Sequence, residues 1–165
     1  MKKISNTCEK LPPKLSTQGK TLEKIVQEAT DVLIKDFSKG NISFRGKKVV
    51  GEYPYTNKKS YEHILKLDDK TATVPQKIER ALRCAQYAEL LKISSENSCC
   101  KDFKCWKEFD IKKSRWRWKV LCPKNKILIV LGEMKDSFIL VTAYHLMGKG
   151  VEKELKKYEL SKNKK

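Results

Sequence analysis

Apolar residues recur at a helical spacing between residues 22 and 37. Such a period is typical of an amphipathic helix that packs one apolar stripe on a core. Thr21 is suited to the N-cap, and Gly40 interrupts the period at the other end. The pattern therefore predicts a first helix from Thr21 to about Gly40. Its apolar positions are Leu22, Ile25, Val26, Ala29, Val32, Leu33 and Phe37.

Three shorter patterns follow this helix. Residues 41–53 alternate about Gly46 and predict two short strands that form a small hairpin. Residues 57–67 predict a short helix with a partly accessible His63 near the edge of its apolar face. Pro75 suits a first helical turn, and the apolar positions after it predict one longer helix that runs to about Lys92.

The following part of the chain changes to strand patterns joined by short links. Short links between consecutive strands favour an antiparallel meander. The patterns predict an α+β fold whose antiparallel sheet has about four strands. The predicted strands are Trp106–Phe109, Arg115–Cys122, Lys126–Gly132 and Ser137–Tyr144.

The whole chain of 165 residues suits a single domain flanked by two terminal segments. Residues 1–19 contain Pro12 and Pro13 without any period, which predicts a flexible N-terminal arm. Residues 20–148 form the predicted domain. Residues 149–165 are a lysine-rich helix or tail with four apolar positions that could dock, Val151, Leu155, Tyr158 and Leu160.

The charge of the chain indicates a class of partner. Lys and Arg total 37 against 20 Asp and Glu, a net charge of +17. Such an excess favours a phosphate-bearing partner, through counterion release, over a neutral small molecule, although a merely solvated lysine surface has the same composition. No apolar run reaches the ~20 residues that span a bilayer, and the first residues lack a signal-peptide core. We expect a cytoplasmic protein with no membrane partner.

The six cysteines do not form a recognisable metal motif. A zinc site could be assembled from Cys99, Cys100 and Cys105 with Cys84 or Cys122, but no Cys-x-x-Cys pair exists. Glycine-rich phosphate loops, the serine elbow and the zinc-protease helix are absent as well. We expect reduced thiols, no metal and no cofactor.

Histidines and hydroxyl groups offer the candidate chemistry. Metal-free RNA cleavage needs a base for the 2′-hydroxyl, an acid for the leaving oxygen and a cation for the phosphorane. His63 and His145 are the two histidines, and an imidazole can act in both directions. Thr142 and Tyr144 share a face of the last strand, whereas His145 falls on the other face with Val141. Ordinary strand propensity equally explains the threonine and the tyrosine.

Two groups of cations could contact phosphate. Arg80 and Arg83 are three residues apart on the predicted helix and can lean towards one anion, or they can form ion pairs on a solvated face. Arg115, Arg117 and Lys119 lie on one face of a predicted strand, which is either a phosphate track or an exposed sheet face.

The three tryptophans complete the list of groups that could contact a base. Trp116 and Trp118 alternate with the cations, so the pattern assigns them to the core. Trp106 is then the one candidate for base stacking.

The order of these parts resembles a known group of nucleases. Ser60-Tyr-Glu-His-Ile precedes the helix with Arg80 and Arg83, and the last strand reads Phe138-Ile-Leu-Val-Thr-Ala-Tyr. Over about residues 53–146 this resembles the phage and toxin nucleases grouped with barnase, EndoU, the colicin tRNases and RelE, the BECR fold. The resemblance implies N-terminal helices packed on a curved antiparallel sheet.

The resemblance also implies roles for individual residues. It gives His63 as acid or base, Arg80 at the phosphate, and Thr142 with Tyr144 orienting the substrate. These four are the predicted catalytic residues. The predicted substrate-binding residues are Arg83, Arg115, Arg117, Lys119 and His145.

The sequence thus leads to one expected function and to alternatives. We expect a metal-independent endoribonuclease, phage-derived or a toxin, that cleaves tRNA or other RNA by attack of the 2′-hydroxyl. A toxin would need an inhibitor or immunity protein as its partner. The alternative is a non-catalytic nucleic-acid-binding or regulatory protein that uses the same basic surface.

Overall fold

The computed structural model describes residues 11–38, 40–51, 63–66, 69–95 and 103–164. A short 3₁₀ turn covers Ile111–Lys113. In chain order the elements are α1 (Leu22–Phe37), β1 (Ile42–Phe44), β2 (Lys47–Gly51), α2 (Val74–Leu82), α3 (Cys84–Ser95), β3 (Lys104–Asp110), β4 (Arg115–Cys122), β5 (Ile127–Glu133), β6 (Ser137–His145) and α4 (Gly150–Lys162).

The strands form one mixed sheet in the order β1-β2-β6-β5-β4-β3. The α+β class and the antiparallel meander from β3 to β6 are confirmed. The prediction of an antiparallel sheet of about four strands was wrong in two respects, because the sheet has six strands and β2 runs parallel to β6. The predicted hairpin joins the sheet where Val49 lies opposite Phe138, and both side chains are buried there.

Two helices replace the single helix predicted from Pro75 to Lys92. Thr73 caps α2 in a capping box: the Gln76 amide donates to the Thr73 hydroxyl, and the Thr73 amide donates to the Gln76 side chain. The helix ends at Arg83, whose φ of −90° and ψ of 3° leave the helical region. The buried Tyr87 hydroxyl donates to the Arg80 carbonyl at 2.8 Å, so a side chain takes one of the helix-end acceptors.

Each face of the sheet packs against a separate hydrophobic cluster. The first cluster lies between the sheet and α1, α2 and α3, and it contains Leu33, Phe37, Tyr87, Leu131 and Phe138. The second cluster lies under α4 and contains Trp106, Leu121, Leu128, Val130 and Leu146. β5 is buried almost throughout because both clusters use it. Cys84 and Cys122 are buried, the first at a helix start and the second at a strand end.

The C-terminal segment is the helix α4. Val151, Leu155 and Tyr158 pack against the second cluster, as predicted. Leu160 is exposed, so its predicted docking was wrong. Within the described ranges, no helix combines the length and the apolar character that a membrane crossing requires.

Residues 11–15 are held against the helices, although the sequence predicts a flexible arm over residues 1–19. The Leu15 amide donates to the Leu82 carbonyl at 2.9 Å, and Gln86 Nε2 donates to the Pro12 carbonyl at 2.9 Å. These partners lie far along the chain, and local composition carries no sign of them. Residues 1–10 lie outside the described ranges.

A bulge in β6 sets which side chains face which cluster. Val130 is paired with Thr142 and Leu131 with Leu140, so Val141 is the extra residue. Val141 therefore packs with Tyr144 against the second cluster, and its predicted place on the other face was wrong. Thr142 and Tyr144 lie opposite Val130 and Leu128 and share a face, as predicted.

Candidate functional site

The turn His63–Lys66 lies beside the last part of β6. Among the described residues the register between β2 and β6 runs to Gly51 and Leu140, and β6 continues to His145. Thr142 Oγ1 donates to the Ile64 carbonyl at 2.7 Å, and Ile64 and Leu65 are buried. Since its two successors are anchored in the core, His63 is held at the surface, where it is exposed. The rest of the helix predicted over residues 57–67 lies outside the described ranges.

Arg80 joins α2 to the same turn. Its Nη1 donates to the Lys66 carbonyl at 2.9 Å and lies 3.5 Å from Asp69 Oδ2. The guanidinium carbon is 5.3 Å from the Tyr144 ring centroid, and Lys66 Nζ is 4.6 Å from that centroid. Two cations therefore lie near one aromatic ring of β6, with a carboxylate beside the arginine.

These contacts bring Arg80, Thr142 and Tyr144 to the turn on which His63 lies. We call this set the His63 cluster. It draws on the turn, on α2 and its preceding loop, and on β6, which are far apart in sequence. Its members are His63, Lys66, Asp69, Arg80, Thr142 and Tyr144.

Tyr144 and Asp69 of the His63 cluster have shifted pKa values. Burial raises the pKa of Tyr144, and the charge of Glu154 adds to this effect. The phenol therefore stays protonated near pH 7 and can donate a hydrogen bond. Hydrogen bonds from Thr71 lower the pKa of Asp69, and the Arg80 charge contributes further. An ionised carboxylate thus faces the Arg80 guanidinium.

Arg83 points to partners different from those of Arg80. Its Nε donates to Glu79 Oε1 at 2.7 Å, while its Nη1 donates to Gln86 Oε1 at 3.3 Å and to the Asn125 carbonyl at 3.4 Å. The alternative of an ion pair with Glu79 is therefore present in the structure. The two guanidinium groups contact separate groups and do not converge on one position.

His145 lies on the other face of β6 from Tyr144, in register with Ile127 of the first cluster. Burial and the nearby charge of Arg83 lower the pKa of His145 to about 4. Its imidazole is therefore neutral at pH 7. The two histidines occupy different environments, one exposed and one partly buried beside an arginine.

The cationic stripe of β4 is paired with carboxylates. Arg117 Nε lies 2.7 Å from Asp110 Oδ2, and Arg115 is in register with that same aspartate. Lys119 Nζ lies 2.7 Å from Glu108 and 3.0 Å from Glu154 of α4. Burial opposes the charge on Lys119, but the bonds to both glutamates outweigh burial and raise its pKa. Much of this charge is therefore balanced within the protein.

The tryptophans are arranged differently from the sequence prediction. Trp106 is buried in the second cluster, with its ring centroid 5.8 Å from that of Tyr158, so its predicted role as a stacking platform was wrong. Trp118 packs against the first cluster, as predicted, but Trp116 is exposed. Strand alternation predicts which tryptophans share a face, but it does not show that α4 packs over Trp106 or that Trp116 stays exposed.

Among the described residues, no three His, Cys, Asp or Glu side chains gather as a metal site would require. Cys99 and Cys100, which the sequence offered for zinc, lie outside those residues. Comparison with protein-family models, curated proteins and solved structures gives no match for this chain.

Proposed function

We propose that the protein is a metal-independent endoribonuclease and that the His63 cluster is its active site. One observation carries this proposal. Three residues chosen from the sequence for RNA cleavage, Arg80, Thr142 and Tyr144, contact the four-residue turn that carries the fourth, His63. Hydrogen bonds of 2.7 and 2.9 Å from Thr142 and Arg80 fix that turn.

Each residue of the cluster has a role in the proposed reaction. His63, at the exposed edge, accepts the proton of the ribose 2′-hydroxyl. The 2′-oxygen attacks phosphorus, and the bond to the 5′-oxygen breaks. Arg80 and Lys66 oppose the charge of the phosphorane, which is the usual role of preorganised cations. The protonated Tyr144 phenol is the candidate acid for the leaving oxygen, and Thr142 positions the turn.

The chemistry of the products tests this reaction directly. RNA incubated with the protein in EDTA should yield ends with a 2′,3′-cyclic phosphate and a 5′-hydroxyl. A substrate with 2′-deoxyribose at the cleaved position should remain intact, because it lacks the attacking oxygen. Cleavage of that deoxy substrate at an equal rate would contradict the proposal, and so would a strict requirement for a divalent cation.

A second function is favoured by a different observation. Arg80 and Thr142 are each only 8% exposed, and both donate to backbone carbonyls, as structural residues do. A non-catalytic nucleic-acid-binding protein would retain these contacts and the charge of +17. It would bind RNA in a salt-sensitive manner and leave it intact.

The proposed nuclease also suggests a protein partner. A toxin of this kind would need an inhibitor in the cell that makes it, and the sequence resemblance is to phage and toxin nucleases. Expression of the wild-type chain should then slow growth, and His63→Ala should relieve the effect. Normal growth with abundant, folded wild-type protein would argue against a toxin that needs an immunity partner.

A further inference from the structure

Two exposed aromatic rings lie side by side at one end of the sheet. Phe109 of β3 and Trp116 of β4 are directly paired across the strands. Their ring centroids are 5.3 Å apart at an interplanar angle of 68°. Phe109 is 48% exposed and Trp116 is 49% exposed. Large rings of this kind usually lie in a core or at a binding surface.

Lys107 lies beside this aromatic pair, and Arg45 lies beside the neighbouring Trp118. Lys107 Nζ is 5.2 Å from the Trp116 ring centroid and 5.9 Å from that of Trp118. The guanidinium carbon of Arg45 is 4.5 Å from the Trp118 centroid. Lys112, which follows Phe109 in the 3₁₀ turn, is exposed. The surface around Trp116 and Trp118 therefore combines π faces with positive charge.

One carboxylate belongs to this surface as well. Glu133 Oε2 lies 2.6 Å from Lys107 Nζ, and Glu133 Oε1 lies 3.9 Å from Lys47 Nζ. The carboxylate balances part of the local charge and holds the Lys107 ammonium beside the rings. The lysine side chain is itself exposed, so its ammonium can move to a phosphate with little loss of packing.

The aromatic pair is separate from the His63 cluster. Tyr144 is in register with Leu128, and Leu128 with Leu121 of β4. Leu121 and Trp116 are five residues apart, which is about 16 Å along a strand at ~3.3 Å per residue. Trp116 also lies on the face of Trp118, whereas Tyr144 lies on the opposite face.

We infer that Phe109 and Trp116 form a stacking platform for the bases of single-stranded RNA, with Lys107 and Lys112 contacting its phosphates. The choice of RNA rests on the proposed function. Aromatic stacking accepts any base, and a cationic border suits the backbone of a single strand. A protein partner would also use exposed rings, but the excess positive charge around them favours a polyanion.

Binding of a labelled oligouridylate, measured by fluorescence anisotropy, tests this platform. The measurement uses the full chain with His63→Ala, so that cleavage does not interfere. Replacing Trp116 by Leu should weaken binding about 5- to 150-fold, since stacking contributes about 1–3 kcal/mol per base. Trp116→Tyr should retain most of the affinity because it keeps a π face. Ile111→Ala, at a neighbouring 83% exposed aliphatic residue, should bind as the parent does.

The outcomes separate this inference from the proposed function. Circular dichroism should first show that the variants fold alike. Equal RNA affinity of the Leu variant and its parent would overturn the platform and leave the rings as a protein-docking surface. No RNA binding by the parent would overturn it as well. Loss of affinity on Trp116→Leu, in a protein whose wild type cleaves no RNA, would uphold the platform while the nuclease proposal fails.

Discussion

At the residue scale, Arg80 is a charged residue that is only 8% exposed, and its partners lie on three segments of the chain. Its guanidinium donates to the Lys66 carbonyl, faces Asp69 and lies near the Tyr144 ring. The Lys66 carbonyl and the Asp69 carboxylate would each lose one of their partners if this side chain were removed. Arg80 therefore contributes to stability and, in the proposed mechanism, to catalysis.

Arg80→Met should lower the free energy of unfolding by about 1–3 kcal/mol, because it removes the hydrogen bond to the Lys66 carbonyl and the charge that faces Asp69. Urea denaturation measures this change. Arg45→Met is the matched control, since Arg45 is exposed and contacts one ring. Its effect should stay below about 1 kcal/mol. Equal stability of the two variants would show that Arg80 does not hold the turn.

His145 gives a prediction about pH. Its pKa of about 4 lies below the ordinary value of 6.5, because of burial and the charges of Arg83, Lys14 and Lys126, which together outweigh Glu79. The unfolded chain binds this proton more readily, so stability is full above about pH 6.5 and falls as the pH drops towards 4. The free energy of unfolding should fall by about 1 kcal/mol over this range, because the group is partly exposed and screened by solvent.

Comparing His145→Gln with the wild type checks this effect. The difference in unfolding free energy between pH 7 and pH 4.5 should be smaller in the variant, because Gln does not titrate. Carboxylates contribute equally to both proteins and cancel in the comparison. An identical pH dependence would contradict the assigned environment of His145.

At the element scale, β6 and the His63–Lys66 turn depend on each other through the Thr142 hydroxyl. Thr142→Val should lower the rate of RNA cleavage more than about tenfold, because the turn that presents His63 loses its anchor. The stability loss should be about 1–3 kcal/mol. Thr142→Ser keeps the hydroxyl and should restore cleavage. Full activity in the Val variant would show that the anchor does not position His63.

The helix α4 completes the second face of the sheet. Tyr158→Ala should destabilise the protein by about 1–3 kcal/mol, because a partly buried ring packs against Trp106. Leu160→Ala, on the exposed side of the same helix, should change stability by less than about 0.5 kcal/mol. Thermal unfolding of both variants measures the contrast. Equal melting temperatures would mean that α4 is not docked.

Sequence patterns predicted the elements better than the contacts between them. The period of α1 and the alternation of β6 are local signals, and they gave the helix and the common face of Thr142 and Tyr144. The parallel pairing of β2 with β6 and the bulge at Val141 depend on distant residues, so no local pattern could show them.

The candidate site was predictable only as a set of residue types. Chemistry selected His63, Arg80, Thr142 and Tyr144, and the fold brings their segments together. The same reasoning could not show that Lys119 lies beneath α4, paired with two glutamates, because that depends on which element covers which face. Which element covers which face also decides that Trp106 is buried and that Trp116 is exposed.

At the scale of the whole molecule, the chain that carries the His63 cluster and the aromatic pair has a net charge of +17. Such a field accelerates encounter with RNA and makes affinity fall with salt, whether or not cleavage follows. Charge therefore explains attraction, and the reaction depends on the cluster. Variants of the two histidines separate attraction from reaction, since His63→Ala and His145→Gln both keep the formal charge of +17, in which histidine counts as neutral.

The most direct test of the account is the rate of RNA cleavage in EDTA by His63→Ala and by His145→Gln, each relative to the wild type. The account predicts a loss of about 10²- to 10⁴-fold for His63→Ala, as expected for a general base or acid. His145→Gln should stay within about threefold of the wild type, far below a general-catalyst effect. Equal rates for the two variants would contradict the assignment of the active site to the His63 cluster.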